Sequence, residues 1–495
     1  MLKELFLGVD QGGSSTKATL IDAEQQPVHS FSHAVSTSVL DHERIEQDPT
    51  ELLHSVTTLI DEARAFANEN QAQIQALGLA CQRSGVMAWD RTTGAVLHPM
   101  LSWRDTRTRS IIEALGAKAQ DIFDRAILPP SAHYAGGKIA LLQKQFADCN
   151  VAVGTLDSYL LYALSGTTDS IFCTEDTMAH RTMLYAMDTH GWDGKLCDLF
   201  SVQTDRLPPI NPSIFQHGHY RDIPITAMLG DQQASLFAGG LPAKRAVLNL
   251  GTVGAIFLST GSEFVKLPGY ITSVYYSKMG SAESERDYQY MIEGTTNVCA
   301  RTVELIKERV GVVEADIEAC CCRARDNISS APAVAFCPLG NTTTPDWIYD
   351  LPDVITDWDR EDMDEFARAL VENLGSFIAE NILAFKAASL LSADDTAIPV
   401  SGGVARIDYL LQYIADCTGC MLERMSFSEA TSIGAALAAI EGAGKENRPK
   451  GQGAKQAEKI FMPQASGASA RHQAWKRLKA QVVQGQVAGA VVTLR

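Results

Sequence analysis

Short apolar runs that end in small or acidic residues recur along the chain, and the first of them opens it. Residues 5–9 are apolar, Asp10 ends the run, residues 12–16 are Gly, Ser and Thr, and a second strand-like pattern follows at 17–21. Apolar runs of this length on either side of a Gly/Ser segment predict two β-strands joined by a tight turn. The pattern therefore predicts a strand, a turn and a strand at the start of the chain.

A second copy of this pattern lies near the middle of the chain. Residues 246–250 are mainly apolar, residues 251–254 form a turn of small residues, and residues 255–259 are again strand-like. One such unit in each half suggests two related lobes that hold one phosphate chain. Two unrelated hairpins would give the same pattern, so both interpretations stay open at this point.

The stretches between these units alternate between helical and strand patterns. Asp48-Pro49 is an N-cap with proline at the first helical position, and apolar residues follow at helical spacing. Residues 74–80, 225–229 and 398–400 are apolar runs of strand length. Strands that alternate with helices predict layered α/β domains rather than a helical bundle or a β-sandwich.

The acidic residue at the end of the first strand and the turn after it suggest a phosphate site. The glycines of this turn let the backbone approach oxygen atoms closely, and its successive N–H groups can form a nest for anions. The carboxylate of Asp10 can hold Mg²⁺ directly or through water. The spacing is not that of a Walker loop, and an ordinary Gly/Ser hairpin is the alternative.

Length and charge narrow the class of protein. A chain of 495 residues is too long for one ordinary hydrophobic core, and two domains of about 240 residues are the natural division. The formal net charge of −17 argues against nucleic acid or an anionic membrane as a partner, since both require a basic surface. An anionic cofactor must therefore be held by local backbone donors and Mg²⁺.

The cysteines and the apolar runs predict a cytoplasmic protein. The chain has 11 scattered cysteines, an odd number that fits reduced thiols better than a disulfide framework. No apolar run reaches the ~18 residues of a membrane-spanning helix, and Asp10 comes too early for a signal peptide. We therefore expect no membrane partner.

Two segments of the first half carry side chains suited to a polar ligand. Arg83 and Ser84 follow a predicted strand, where Arg83 could bind a ligand or equally form a salt bridge at the sheet edge. Trp103 precedes Asp105 and Arg107. An aromatic face beside charged groups suits a polyhydroxylated ligand, because its C–H faces pack on the ring while its hydroxyls form hydrogen bonds. A core tryptophan before a helix is the commoner explanation.

Asp231 is the second acidic residue that follows a predicted strand. It comes after the apolar run at 225–229 and before a segment of small residues that starts a helix. Asp in this position is most often an N-cap. However, Asp10 and Asp231 both stand at strand ends, and the paired duties of metal ligand and base would suit phosphoryl transfer.

Taken in order, these and neighbouring segments resemble the FGGY carbohydrate kinases, and most closely their glycerol kinase branch, over about residues 5–445. The segments that carry the resemblance are GVDQGGSSTKA, CQRSG, W-x-D-x-R, AHRTMLY, GDQQASLF, LGTVGA, IEG and SGGVARIDYLLQ. The resemblance implies an α/β fold of two actin-like, ribonuclease-H-like domains with ATP and substrate in a central cleft. It implies a substrate and Mg²⁺ domain at 1–239 and an ATP domain at 240–495, and composition adds an exposed linker near 442–459 before a docking helix at about 470–483.

The resemblance also implies roles for individual residues. It makes Asp231 the catalytic base and Asp10 the Mg²⁺ ligand. It implies the following substrate contacts: Arg83, Ser84, Trp103, His133, Tyr134, Asp231 and Gln232. It implies the following contacts with ATP: Gly12, Ser14, Ser15, Lys17, Gly251, Thr252, Glu293, Gly294, Gly402, Gly403 and Asp408. The hydroxyls of the family's first turn fall on Ser14, Ser15 and also Thr16.

Departures from the glycerol kinase pattern concern the substrate. Ser84 stands where glycerol kinases carry Glu, and their Tyr aligns with His133 if no gap is placed, with Tyr134 one step away. On the phosphate side, Lys17 stands where they carry Arg. The pair Asp105 and Arg107 resembles the pentulose kinases instead. A lost carboxylate and extra room suggest a polyol or ketose bulkier than glycerol.

The sequence therefore predicts an ATP- and Mg²⁺-dependent kinase that phosphorylates a terminal hydroxyl of a small polyol or ketose. The oligomeric state is left open between a monomer and a homodimer. Two alternatives use the same architecture: an ATP-driven switch or binding protein, and a catalytically silent kinase-like sensor.

Overall fold

The computed structural model describes residues 2–486 except for 167–169, 281–284, 327–332, 340–341, 349, 393–396, 426–428 and 446–456. The strands are, in chain order, β1 (Lys3–Gln11), β2 (Ser15–Asp22), β3 (Pro27–Ala34), β4 (Ser38–Val39), β5 (Ile45–Gln47), β6 (Ala72–Cys81), β7 (Val86–Asp90), β8 (Val96–Leu101), β9 (Val151–Thr155), β10 (Thr174–Glu175), β11 (Tyr185–Ala186), β12 (Gly191–Trp192), β13 (Ile210–Asn211), β14 (Ile214–Tyr220), β15 (Ile223–Gly230), β16 (Ala246–Leu250), β17 (Gly254–Gly261), β18 (Ile271–Met279), β19 (Arg286–Thr296), β20 (Val334–Phe336), β21 (Val354–Thr356), β22 (Ile398–Ser401), β23 (Leu422–Met425) and β24 (Ala457–Phe461).

The helices occupy the stretches between these strands. They are α1 (Pro49–Glu69), α2 (Arg109–Ala114), α3 (Ala119–Ala126), α4 (Ala135–Gln145), α5 (Leu156–Leu164), α6 (Asp176–His180), α7 (Gly194–Phe200), α8 (Asp231–Ala238), α9 (Cys299–Val310), α10 (Glu314–Asp326), α11 (Met363–Ala387), α12 (Asp408–Thr418), α13 (Ala430–Gly442) and α14 (Ala468–Val483). The predicted N-cap of α1 is confirmed, because Asp48 Oδ1 accepts the Thr50 N–H at 2.8 Å. Within the described residues, no helix combines the length and the apolar character needed to cross a bilayer.

The chain folds as two compact units, each built from several segments. Unit 1 contains residues 1–241, 272–290 and 428–454, and unit 2 contains 242–271, 291–427 and 455–495. Each unit has its own buried apolar core, with Leu7 and Leu79 in the first and Leu248 and Ile378 in the second. Because residues 272–290 and 428–454 also belong to unit 1, the two units are not separated by one boundary at 239–240. The predicted division into domains at 239–240 stays a prediction.

Both units repeat one strand order. In unit 1 the order is β3-β2-β1-β6-β15, with β1 to β3 antiparallel and β6 and β15 parallel to β1. In unit 2 the order β19-β17-β16-β22-β23 has the same form, with β16 antiparallel to β17 and β22 parallel to both β16 and β23. This is the ribonuclease-H-type arrangement, so the predicted α/β fold of two related domains is confirmed.

The register of the unit 1 sheet places its two strand-end acidic residues at one edge. Asp10 on β1 lies opposite Ala80 of β6, and Gly230, the last residue of β15, lies opposite Cys81 of the same strand. Asp231 follows Gly230 directly. Because β1 and β15 both run parallel to β6, which lies between them, the carboxylates of Asp10 and Asp231 emerge at the same end of the sheet, one strand apart.

Helix α13, made largely of small residues, lies unusually close to the unit 1 sheet and to α8. A Cβ placed on Gly8 would lie 1.8 Å from the Ser432 carbonyl oxygen, and one on Gly434 would lie 1.7 Å from the Ala234 carbonyl oxygen. Neither position has room for a side chain. Since α8 begins at Asp231, this packing also fixes the helix that carries the proposed base.

Gly434→Ala is expected to lower the free energy of unfolding by about 1–3 kcal/mol, because the added methyl group must push α13 away from backbone atoms of α8. Chemical denaturation of the purified variant measures this change. Gly194→Ala in α7 is the control, since a Cβ there meets nothing within 4 Å and should change stability by less than about 0.5 kcal/mol. Equal stability of the two variants would contradict the packing of α13 described here.

The end of the chain differs in part from the prediction. Gly442 still belongs to α13, and residues 457–459 are part of β24, which pairs with β23. The predicted linker is therefore wrong at both of its ends. Gly442 stays helical in close packing on β15, where a Cβ would lie 2.0 Å from the Thr226 carbonyl oxygen, and pairing with β23 outweighs the Gly- and Lys-rich composition at 457–459. Its central residues 446–456 lie outside the described ones. The predicted terminal helix corresponds to α14, whose Trp475 is buried in unit 2 and donates to Asn373 Oδ1 at 3.0 Å.

Candidate active site

The first turn of unit 1 is held in place by two buried glutamines. Gln47 Nε2 donates to the Gly13 carbonyl at 3.0 Å, and Gln82 Nε2 donates to Gln47 Oε1 at 2.8 Å and to the Gly12 carbonyl at 3.3 Å. These bonds occupy carbonyl groups of the turn. Ser14 stays exposed and Ser15 half-buried, so their hydroxyls are accessible to a ligand.

The side chains of Thr16 and Lys17, neighbours on β2, point to opposite faces of the sheet. Thr16 is fully buried and its hydroxyl bonds to Ser55 Oγ at 2.6 Å, so the prediction that it contributes to a phosphate site is wrong. Its side chain points to the face that packs on α1 because side chains alternate along a strand. Lys17 points to the other face, where its ammonium pairs with Glu429 Oε1 at 3.3 Å.

Asp10 lies in an environment that disfavours its charge. Burial, and after it the negative charge of Asp231, raise the pKa of Asp10 to about 8, against the opposing effect of Lys17. Its Oδ1 atom is buried and accepts no hydrogen bond from the described residues. A carboxylate in this state is suited to a cation, which would supply the missing positive charge.

Asp231 stands at the start of α8 beside an arginine that other side chains hold. Arg83 Nε lies 3.4 Å from Asp231 Oδ1, and the guanidinium also donates to the side-chain oxygens of Gln232 and, at 3.3 Å, of Gln233. Burial raises the pKa of Asp231, while Arg83 and Arg181 oppose this change. The Asp231 side chain is 34% exposed. Arg83 therefore fixes the orientation of the Asp231 carboxylate, which stays accessible to a ligand.

Three loops form a wall near this pair. Ser84 has a left-handed backbone, with φ of 64°, and its hydroxyl donates to the Arg181 carbonyl at 3.4 Å. His133 Nδ1 bonds to the Trp103 carbonyl at 3.2 Å, and the two ring centroids are 6.2 Å apart. The Trp103 side chain is 36% exposed. A Cβ on Gly13 would lie 3.9 Å from Trp103 Nε1, so the indole also borders the first turn.

Two other predicted residues lie close to members of this wall in the sequence. Tyr134 precedes α4 and is half-buried, with its N–H donating to the Ser131 carbonyl. Asp105 is fully buried, pairs with Arg107 at 2.7 Å and accepts the Ile45 N–H at 2.8 Å. The expectation that Asp105 and Arg107 serve a ligand is therefore not supported, because their charges are used to join the loop after β8 to β5.

In unit 2 two turns meet at one edge of the sheet. Residues 251–253 join β16 to β17, and Gly402 follows β22, whose Ser401 lies opposite Asn249. Gly402 has φ of 102°, and a Cβ there would lie 2.4 Å from the Leu250 carbonyl oxygen, so only glycine fits. Gly251, Thr252, Gly402 and Gly403 thus lie together, and the last two are exposed.

The remaining predicted ATP contacts have packing or ion-pair explanations instead. Glu293 is buried, and a Cβ on Gly294 would meet Ile256 and Asn381 at about 3 Å, which is tight interior packing. Asp408 starts α12 and pairs with Arg424 at 2.5 Å and with Lys459. Nothing in these contacts supports a cofactor role, which stays a prediction for all three residues.

Comparison with known proteins decides the family. Residues 5–240 match the N-terminal domain of the FGGY family of carbohydrate kinases, and residues 246–442 match its C-terminal domain. The chain belongs to the FGGY family of carbohydrate kinases. It is therefore an ATP-dependent phosphotransferase with an alcohol group as acceptor, and the alternatives of a switch protein and a silent sensor are not favoured.

Individual relatives of this FGGY kinase agree with the assignment. A glycerol kinase of Clavibacter michiganensis subsp. michiganensis is 30% identical over 468 residues, which cover 89% of each chain. The structure of Plasmodium falciparum glycerol kinase with ADP is similar with a TM-score of 0.86, 21% identity and 99% coverage of each chain. A ligand-bound xylulose kinase from Lactobacillus acidophilus gives a TM-score of 0.80 at 19% identity, covering 97% of this chain and 98% of that one. These two structural matches support the shared fold.

Several residues around the site of this FGGY kinase were missed by sequence reasoning. Gln47, Gln82 and Glu429 lie far apart in sequence and carry no spacing signal. Lys138 is another such residue, and it is fully buried beneath the substrate wall. No signal in the sequence marks Lys138, because a lysine in a helix is expected at the surface.

The residues near Asp10 fit a magnesium ion. Mg²⁺ prefers carboxylate oxygens and keeps several waters and phosphate oxygens, so one or two protein carboxylates are enough. In the described part of the chain, no group of three or more His, Cys, Asp or Glu side chains could hold a metal by itself. The unpartnered Oδ1 of Asp10 and Oε2 of Glu429 are hard oxygen donors of the kind this ion takes.

Proposed function

We propose that this FGGY kinase transfers the γ-phosphoryl group of ATP to a terminal hydroxyl of a polyol or ketose larger than glycerol, with Asp231 as the base. The observation that carries the proposal is the pairing of Asp231 with Arg83 at the sheet edge that also holds Asp10. One carboxylate is held by a guanidinium, and the Oδ1 of the other accepts no hydrogen bond from the described residues. This difference separates the duties of base and cation ligand.

Asp231 acts on the attacking alcohol. An alcohol is too weak an acid for a carboxylate to deprotonate beforehand, so Asp231 orients the hydroxyl and accepts its proton as bonding to the transferring phosphoryl group develops. Burial raises the pKa of Asp231, which makes it a stronger base, while the charge of Arg83 opposes this rise. Gln232, which bonds to the same guanidinium, stands next to the base and can bind a neighbouring hydroxyl.

The phosphate side uses backbone groups and hydroxyls rather than a cluster of basic residues. In unit 1 the turn that contains Gly12, Ser14 and Ser15 offers donors, and Lys17 adds one positive charge. In unit 2 the exposed turns at 251–253 and 402–403 offer further backbone donors. Mg²⁺ held near Asp10 would neutralise the charge of the phosphate chain.

The substrate wall favours a larger neutral polyhydroxyl compound. Because a carbonyl oxygen only accepts, His133 Nδ1 carries the proton in its bond to Trp103, and the neutral ring presents the lone pair of Nε2. Desolvation lowers the pKa of His133, which keeps the ring neutral at pH 7. Ser84 is small and adds no charge. Trp103 supplies an apolar face for C–H groups, as sugar-binding sites require.

Ser84→Glu is expected to shift the preference of the enzyme toward glycerol by about tenfold in kcat/KM relative to its best substrate. The added carboxylate restores the acceptor that glycerol kinases carry at this position and accepts hydrogen bonds from a short triol. ADP release measured over a panel of polyols and ketoses gives the ratio. Ser84→Gln is the control for volume without charge, and an unchanged substrate profile in both variants would contradict this account of the wall.

A further inference from the structure

Lys138 is a fully buried lysine in the first turn of α4, directly behind the substrate wall. Its helix lies so close to the loop after α6 that a Cβ on Gly136 would be 2.4 Å from the Thr182 carbonyl oxygen. The loop after α6 in turn contacts the wall, because the Arg181 carbonyl accepts the Ser84 hydroxyl at 3.4 Å. The side chain of Lys138 therefore cannot reach solvent, and its ammonium must find partners inside unit 1.

The ammonium donates to three backbone carbonyl groups. Its Nζ lies 2.9 Å from the His133 oxygen, 3.3 Å from the Ser84 oxygen and 3.4 Å from the Trp103 oxygen. A lysine ammonium has three donors and no acceptor, so these three carbonyls use its full capacity. Each of them belongs to a different loop, and each loop carries one of the proposed substrate contacts.

This arrangement differs from an ordinary buried ion pair. Burial lowers the pKa of Lys138 to about 7, Asp105 opposes this effect, and Arg107 adds to it. The three carbonyl groups, together with the charge of Asp105, oppose the cost of burying the ammonium. The Trp103 carbonyl also accepts from His133 Nδ1 at 3.2 Å, so two side chains converge on one oxygen. A buried charge in this setting resists movement of the loops, because any displacement leaves a donor without a partner.

We propose that Lys138 is a positioning residue for substrate, which fixes Ser84, Trp103 and His133 relative to one another without contacting the substrate itself. This inference rests on the proposed function, since it takes these three residues as the substrate wall. Lys138 acts on the geometry of the alcohol site in unit 1. We therefore expect the loss of Lys138 to weaken binding of the alcohol substrate and to leave binding of the nucleotide unchanged.

Lys138→Met keeps the length of the side chain and removes all three donors. We expect the KM for the best alcohol substrate to rise by about 10- to 100-fold, since a small misplacement of binding groups has effects of this size. The KM for ATP should change by less than about twofold. Lys144→Met is the control, because Lys144 lies in the last turn of the same helix and is exposed. A purely structural role would reduce the amount of folded enzyme and leave both KM values unchanged.

A second readout does not depend on turnover. Hydrogen exchange measured by mass spectrometry should show faster exchange in peptides that cover residues 82–86, 101–105 and 131–135 of Lys138→Met, with no change in 210–220. Joint loosening of the three loops supports the positioning role even if the wild-type enzyme phosphorylates no sugar, in which case the proposed function alone fails. Unchanged exchange in the three loops together with an unchanged alcohol KM would overturn the inference.

Chemical rescue separates the ammonium from the packing of its aliphatic chain. Lys138→Ala leaves room for a small primary amine. Propylammonium at millimolar concentration should lower the KM for the alcohol part of the way to the wild-type value and slow hydrogen exchange in the three loops. Butanol, which fills a similar volume without charge, should not do so. If Lys138→Met is insoluble, Lys138→Gln, which keeps one donor group, is measured in the same way. Equal rescue by butanol and propylammonium would overturn the inference.

Discussion

Asp231→Asn is expected to lower the kcat of this FGGY kinase by about 10²- to 10⁴-fold, because asparagine keeps the shape of the side chain but cannot accept the proton of the attacking hydroxyl. Binding of ADP, measured by calorimetry, should stay within about twofold of the wild type, since the proposed nucleotide contacts lie elsewhere in the chain. The bond between the Gln232 N–H and Asp231 Oδ1, 2.7 Å long, can be kept by the amide oxygen. The variant should therefore fold normally.

Asp222→Asn is the matched control for this change. Asp222 directly precedes the first residue of β15, whereas Asp231 directly follows the last, and Asp222 forms an exposed ion pair with Arg64 at 2.6 Å. Exposed pairs contribute about 0–1 kcal/mol, so activity and stability should stay close to those of the wild type. Turnover by Asp231→Asn at the rate of the Asp222→Asn control would show that Asp231 is not the base.

Asp10→Asn is expected to reduce kcat by about a hundredfold or more and to raise thermal stability at alkaline pH. The loss of activity follows from the loss of the proposed cation ligand. The gain in stability has a defined sign. The pKa of Asp10 is raised to about 8 in the folded state, so the wild type loses stability as the pH rises from the unfolded pKa, near 4, through the folded pKa. Asparagine carries no such charge.

The advantage of Asp10→Asn should therefore be small at pH 4.5, grow between about pH 5 and 8, and level off above that range. Thermal unfolding of both proteins without nucleotide or divalent cation, over this pH series, measures it. Mg²⁺ with ADP should stabilise the wild type more than the variant. Asp22→Asn, at the other end of the β1 and β2 hairpin, is the control. A pH-independent difference between Asp10→Asn and the wild type would contradict the buried, unpartnered state of Asp10.

Sequence patterns predicted the parts of this fold that depend on local order. The apolar runs around Asp10 and before Asp231 gave strands at nearly the observed bounds, since burial of alternate or consecutive apolar residues is a local property of a chain. The repeat at 246–259 correctly indicated two related domains. The sequence indicated only that Asp10 and Asp231 both stand at strand ends. The parallel register that puts them at one sheet edge is a finding of the structure, because the pairing of distant strands leaves no local signal.

Other features depend on contacts between distant segments, which no spacing in the sequence reports. The assignment of residues 272–290 and 428–454 to unit 1 is one example, and the ion pair between Lys17 and Glu429 is another. The predicted ligand roles of Thr16 and of the pair formed by Asp105 and Arg107 are not supported, because a polar residue has the same sequence pattern whether it faces a ligand or the interior. Lys138 shows the opposite case, a charge inside an apolar helix that the pattern alone treats as a surface residue.

The most direct test of the central claim is ³¹P NMR of the product formed by the wild-type enzyme with ATP, Mg²⁺ and each member of a panel of polyols and ketoses. We predict that at least one compound larger than glycerol gives a phosphomonoester signal coupled to a terminal CH₂ group, in equal amount to the ADP released. ADP and free inorganic phosphate without a sugar phosphate, or no ADP with any member of the panel, would contradict the account.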